Sequence, residues 1–263
     1  MRSCWLSRSF GLLFVLGALL VSPASGQSPD TSDAALQGAL TTIDSLRQAG
    51  DFRTALDRLE TMRNSHPRNV EVLWRLVYTW ADLGQGSDNK NKRTNFYENA
   101  LTVAKTALAA DSSSARAHLA MAVAQGRAAL NAGTQERIRR SRAVKRHADR
   151  AIALDSTLNG AYHTRGRWHR EVEDLGFFQR TIVRTVYGGL PKSSMDQAVK
   201  DFKRAIELDD RLFHHLELGK TYLQMDRRAA ARREFQTVLD MPAKEPFDPE
   251  YKEEARELLD DLD

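Results

Sequence analysis

The chain has 263 residues, of which 41% are hydrophobic and 28% charged, with 39 Lys and Arg against 35 Asp and Glu. Its single cysteine, Cys4, lies among the first residues, which excludes disulfide scaffolding and thiolate chemistry from everything downstream. A formal net charge of +4 is a mild basic excess and does not compel a nucleic-acid partner.

In chain order, the first predicted element is a leader. Arg2 and Arg8 flank the start of an apolar run from Phe10 to Val21, which breaks into Ser22-Pro23-Ala24-Ser25-Gly26. Charge, short apolar core and small-residue exit predict a secretory signal peptide over 1–26, cut before Gln27. About twelve apolar-rich residues fall short of the roughly twenty that a membrane span needs, so no transmembrane segment is expected after cleavage. The expected location is the periplasm or the outside of the cell. Loss of Arg2 and Arg8 lowers the charge of the remainder to about +2. A short linker, 27–35, is expected next.

Residues 36–245 read as helical hairpins. A helix–turn–helix repeat of about 34 residues wants bulky side chains near positions 4, 7 and 11, small ones near 8, 20 and 27, and a helix-ending residue near 32. Small residues let the two helices of a unit approach, and large ones fill the groove to the next unit. The first unit, 36–69, matches through Gly50-Asp51-Phe52, Ala55, Leu59 and Pro67. The next three share one ending for the second helix: Ala100 with Ala107 and Asp111, Val144 with Ala151 and Asp155, Ala198 with Ala205 and Asp209. The fifth, 212–242, is the clearest, with Leu218-Gly219, Tyr222, Ala231, Phe235, Val238 and a closing Pro242.

The middle units are stretched. Extra residues fall between Gly84 and Ala100, around Leu130–Arg142 and around Phe177–Ser194, and such insertions map to one edge of a solenoid, often near the binding surface. A Pro-rich hinge, Met241–Pro249, leads into a predicted capping helix over 246–263, with Tyr251, Ala255, Leu258 and Leu259 as its apolar face. The predicted fold is all-α: a tetratricopeptide-type solenoid of about five hairpins with a C-terminal capping helix.

Three constellations could carry function. The first helices of the units are expected to build a concave face, placing Trp74, Tyr78, His118, Tyr162, Arg165, His169, His215 and Tyr222 as candidate partner contacts. The second is Gly176–Tyr187, where Phe177, Phe178, Ile182, Val183, Val186 and Tyr187 alternate with Arg180 and Arg184. Wound as a helix, it has an apolar face beside a basic edge, suited to acyl chains or a partner helix. The plainer expectation is that this face packs onto the solenoid as an inserted core helix. The third is a basic run with seven cations between Arg137 and Arg150, in which Arg139, Arg140 and Arg142 are candidate anion contacts. It lacks interleaved aromatics for base stacking, so nucleic acid is not expected, and its plainer reading is a solvated face paired with Glu136 and Asp149.

Enzyme signatures are missing: no nucleophile elbow, phosphate-binding glycine loop or Cys–His pair is present. His169 and Glu173 stand four apart on one helix face, but no His-Glu-x-x-His frame supplies a third metal ligand. No cofactor and no metal are expected.

The fourth and fifth units carry a more specific pattern, Gly166, Trp168, Val172 and Leu175, then Gly188, Gly189 and Pro191, then Ala198, Phe202, Ala205 and Leu208. Over roughly 65–260 the chain resembles the regulator of microtubule dynamics family in this pattern. The resemblance implies a non-enzymatic α-solenoid used for contacts; eukaryotic relatives are linked with microtubules, and one has a repeat domain that binds and moves phospholipid between membranes. A signal peptide departs from a microtubule role, because an exported chain meets no tubulin. The expected function is thus an exported, non-catalytic scaffold for a protein or peptide partner. The alternative is a carrier or binder of a phospholipid or other amphipathic ligand, built on Phe177–Tyr187 and its arginines, with an anionic lipid as the possible partner.

Overall fold

The computed structural model describes residues 31–262, and the leader expected over 1–26 lies outside the described residues. Five helical hairpins follow one another. The first three are α1 (Thr31–Gln48) with α2 (Phe52–Ser65), α3 (Val70–Gln85) with α4 (Lys90–Ala110), and α5 (Ala115–Ala129) with α6 (Thr134–Leu154). The fourth pairs α7 (Asn159–Glu173) with α9 (Met195–Leu208) around an inserted α8 (Phe177–Tyr187). The fifth pairs α10 (Leu212–Gln224) with α11 (Arg228–Asp240), and α12 (Asp248–Asp260) packs on both. α1 already begins at Thr31, inside the stretch 27–35 read above as a linker.

Local chemistry sets the boundaries. Asp51, Asn69, Asn89, Ser114 and Ser194 each accept a backbone N–H with their side chains at a helix start, relieving donors that have no partner inside the helix. Asp111, Asp155 and Asp209 stop α4, α6 and α9 by adopting extended backbone. The Asp111 carboxylate accepts from Ser113 N at 2.8 Å and Asp155 from Thr157 N at 2.8 Å, a turn that redirects the chain into the next unit. Gly50, with φ +81°, supplies the left-handed residue that the tight α1–α2 turn requires.

The interior follows the predicted positions. Ala100, Ala107, Ala151, Ala198, Ala205 and Ala231 are fully buried where second helices approach first ones. Phe202 and Phe235 fill the spaces so made, each contributing on the order of 2–3 kcal/mol relative to exposure. One buried cluster runs from Leu40 to Ala128 and another from Ala198 to Leu259, joined by smaller groups around Leu119 and Trp168. Burial is shared between neighbouring units, as a repeat array requires.

The insertions resolve differently from one another. Those after Gly84 and Leu130 lengthen the second helices, so that α4 and α6 each reach 21 residues. The insertion after Leu175 forms α8 and then an extended stretch to Ser194.

Candidate functional site

Trp74 and Tyr78 lie one turn apart on α3, half-buried, with their rings edge to face at 5.7 Å. Three arginines surround them: Arg75 and Arg116 approach the Trp74 ring at 4.3 and 5.2 Å, and Arg47 lies 5.7 Å from the Tyr78 centroid. The Trp74 indole donates to Glu71 Oε2 at 2.9 Å, which fixes the ring. Burial pushes the Tyr78 phenol up to about 12, so it is neutral and available as a hydrogen-bond donor.

The other six candidate contacts do not join this pair. His118 holds His147 Nδ1 at 2.9 Å and the Ser112 carbonyl at 3.1 Å, turned toward α6 and its own loop. Arg165 lies over Tyr162 at 5.6 Å and forks onto Asp201 at 2.8 and 2.7 Å, tying α7 to α9. His169 is buried, accepting from Ser194 N at 3.2 Å, and His215 bridges Glu234 and Asp210 at 2.7 and 2.8 Å. Tyr222, expected on the concave face, is buried, as part of the apolar cluster that α9 to α12 share.

The anion candidates are likewise committed. Arg140 is buried and paired with Glu98 at 2.9 Å and Glu136 at 2.8 Å, and Arg139 donates to Glu136 at 2.6 Å. Arg142 donates to the carbonyls of Tyr187 and Gly189, stapling the end of α8 to α6. That end is a left-handed turn, with Gly188 and Gly189 at φ +75° and +79°, and Gly189 N returns to Val183 O at 2.9 Å.

α8 departs from the expectation of an inserted core helix. None of its described side chains is buried, and Ile182 and Val186 are 37% and 65% exposed. The side chains of Phe177 and Phe178 lie outside the described residues. Arg180 turns back onto the Leu175 carbonyl at 2.7 Å and Glu173 Oε2 at 3.0 Å, while Arg184 is exposed. α8 is thus held at both ends by arginines, Arg180 near its start and Arg142 at the turn that follows it, while Ile182 and Val186 stay uncovered. Beside that turn lies an open depression of about 770 Å³, whose polar lining is Arg142, Lys145, Arg146, Asp149 and Arg150. Four cations against one carboxylate make it electropositive.

A row of polar contacts between first helices was not read from the sequence. Arg47 pairs with Asp82 at 2.7 Å, and Arg127 donates to Gln85 at 2.5 Å. Burial would raise the carboxyl of Glu217, but Arg167, Arg170 and Lys220 together hold it far below the usual carboxylate range. Lys220 continues to Glu254 of α12 at 2.6 Å. The polar positions of the first helices hint at this row, but most of its pairs join different helices and the pairing is not periodic.

The C-terminal hinge completes the arrangement by reaching the first two units. Phe247 stacks on Phe52 at 5.6 Å with an interplanar angle of 11°, and Tyr251 Oη accepts from Gln85 Nε2 at 2.9 Å. Among the described residues, no group of three or more His, Cys, Asp or Glu is placed to hold a metal ion, and no helix is long and apolar enough to cross a membrane.

The family model described as "Regulator of microtubule dynamics protein 1-3" matches residues 39–263. Regulator of microtubule dynamics protein 1 of Bos taurus is 29% identical over 228 residues, covering 85% of this chain and 71% of the relative. The protein of the same name from Caenorhabditis elegans is 26% identical over 219 residues, covering 83% of this chain and 96% of the relative. Among solved structures, a thermophilic TPR protein of Thermus thermophilus superposes with a TM-score of 0.63 at 19% identity, covering 85% of this chain and 98% of that one. This last likeness is one of fold.

Proposed function

This chain belongs to the regulator of microtubule dynamics family, and we propose that it works as a non-catalytic, exported TPR-type scaffold that captures a protein or peptide partner on its first helices. The observation that carries the reading is the Trp74–Tyr78 pair, half-buried and flanked by Arg47, Arg75 and Arg116. Aromatic rings with arginine beside them supply large, rigid contact area, and these residue types dominate interface energetics. Export rests on the charge, apolar run and small-residue exit of residues 1–26. The relatives' names concern microtubule dynamics; that role does not carry over, because an exported chain does not share a compartment with tubulin. A photo-crosslinking residue at Tyr78 tests the reading in the native host. One defined partner, lost when Trp74→Ala is combined with it, is the expected result, and absence of any reproducible adduct sinks it.

A second reading has its own support. The exposed Ile182 and Val186 beside the electropositive depression suit an amphiphile with an anionic head. Native mass spectrometry of residues 27–263 decides: a reproducible adduct of phospholipid mass favours the carrier, and a clean mass after incubation with anionic lipid removes it.

A further inference from the structure

The hinge and the start of α12, Lys244 to Tyr251, read Lys-Glu-Pro-Phe-Asp-Pro-Glu-Tyr and cross to units almost 200 residues earlier in the chain. Their floor is made by two turns. A Cβ on Gly50 would sit 3.6 Å from Pro246, and one on Gly86 would sit 3.9 Å from the Phe247 ring. Phe52 supplies the stacked ring, Gln85 donates to Tyr251, and Arg127 orients the Gln85 amide by bonding its oxygen.

Two features mark this seam as a docked ligand more than a piece of core. Its polar contacts are made by side chains: among the described residues, no backbone–backbone hydrogen bond joins 243–251 to the first two hairpins. Phe52 and Phe247 are both half-buried, unlike Phe202 and Phe235, which are sealed inside their hairpins. The segment is shaped in advance by its own Asp248, which is 3% exposed and accepts from Lys244 N and Glu245 N at 2.8 Å each. Arg211 holds Glu245 at 3.0 Å from the C-terminal side. Burial in the seam pushes the Glu245 carboxyl up, with Arg211 and then Arg47 only partly opposing it. Arg47, on the seat, is paired with Asp82 at 2.7 Å and keeps a buried Nε with no hydrogen-bond partner.

We propose that Gly50, Phe52, Gln85 and Gly86 form a peptide-binding seat which residues 244–251 occupy in cis, and that the incoming partner is a segment with a Pro–aromatic pair flanked by carboxylates that adopts the same turn leading into a helix. The proposal rests on the protein-binding reading above and specifies its ligand and its regulation: the partner binds by displacing the chain's own strap. Tethering gives the strap a high effective concentration, so the seat is filled in the absence of partner.

The test uses the chain over 27–263 and a labelled peptide copying residues 243–252. Phe247→Ala weakens the strap and is expected to bind the peptide at least tenfold more tightly than the wild type does. Adding Phe52→Ala to that variant is expected to abolish binding. Tyr251→Phe removes only the Gln85 contact, and serves if Phe247→Ala loses its helical circular dichroism; a two- to fivefold gain is expected. Equal affinity in wild type and variants overturns the proposal, as does no binding to a folded variant. If a folded variant ignores the peptide but sediments as a concentration-dependent dimer, the seat takes a second copy and the peptide assignment is wrong. None of these readouts involves Trp74 or a native partner, so failure of the crosslinking experiment and failure of the seat are separable.

Discussion

Gly219 of α10 lies so close beneath the Phe235 ring of α11 that a methyl group placed on it would sit 2.5 Å from a ring carbon. The fourth hairpin repeats the relationship, with Gly166 under Phe202 at 3.1 Å. The small residue of each first helix is the recess into which the large residue of its second helix fits. Gly219→Ala gains about 1 kcal/mol of helix propensity. The added methyl meets a ring that is sealed on all sides, and overpacking of this kind costs about 1–3 kcal/mol or more. The expected outcome is a net loss of about 2 kcal/mol in urea denaturation, partly recovered when Phe235→Leu is added.

Arg165, read from sequence as a partner contact, is bound through two of its nitrogens to Asp201, which is 2% exposed, and touches Asp149 at 3.3 Å. Burial opposes the charge on Arg165, and the two carboxylates more than offset it. Removing one partner strands the other, so Asp201→Ala is expected to cost about 3 kcal/mol. The double variant Arg165→Met with Asp201→Leu should recover most of that loss. Additive single and double effects in this cycle would show that the pair is not a coupled unit.

The hairpin pattern was readable because its constraints are local. Ala100, Ala107 and Asp111 state where α4 packs and where it stops, and the same spacing recurs at Val144, Ala151 and Asp155. The insertions were legible in place but not in form. The stretch before Ala100 has neither Pro nor Gly after Gly86, so it winds into α4, whereas Gly188, Gly189 and Pro191 break the third insertion after α8. The Trp74–Tyr78 pair follows from helical spacing alone. The seat under Phe247 does not: it is built from two turns and a ring, and its key hydrogen bond joins residues 166 apart. Tyr222 was misplaced for a related reason, since repeat position says which helix a residue is on but not how far that helix is rotated into its neighbour.

Acid should weaken the fold through its buried histidines. His163 and His214 face each other through Nδ1 at 2.9 Å, with Phe202 and Phe213 against the His163 ring and Glu217, Arg167 and Arg127 nearby. One ring donates and the other accepts, which requires at least the accepting ring to be neutral, and burial favours the neutral form of both. Burial pushes His214 down to about 3 and His163 well below its ordinary value. His147, opposite His118, falls to about 4 for the same reason. In each case the unfolded chain takes up a proton near pH 6.5 that the folded chain refuses. The stabilisation is therefore present above pH 6.5 and is lost as the pH falls toward the folded values, at up to about 1.4 kcal/mol per pH unit for each histidine. His215, raised by Glu234 and Asp210 against its burial, has the opposite sign: its contribution is complete below pH 6.5 and is lost only as the pH rises through its folded value, so it does not counter the loss on acidification. Urea midpoints are expected to fall steadily from pH 7 to pH 5. His214→Asn should flatten that slope whatever it does to the absolute midpoint, and an unchanged slope would count against the paired histidines as its source.

The exposure of Ile182 and Val186 makes α8 separable from the core in a way that Phe235 is not. Charging an exposed position away from packed neighbours changes stability by about 0.5 kcal/mol or less, whereas burying an unpaired carboxylate costs several times that. Val186→Asp and Ile182→Asp are therefore expected to leave the thermal midpoint within about 2 °C of wild type. A drop of ten degrees or more would mean that α8 folds down onto α6 in solution, which would return its apolar face to the core. With the fold intact, the two variants also separate the functional readings. The scaffold reading expects partner capture at Tyr78 to survive them, because Trp74 and Tyr78 lie on α3, two hairpins away. The carrier reading expects them to lose a phospholipid adduct, since a carboxylate on the apolar face both removes hydrophobic area and repels an anionic head group.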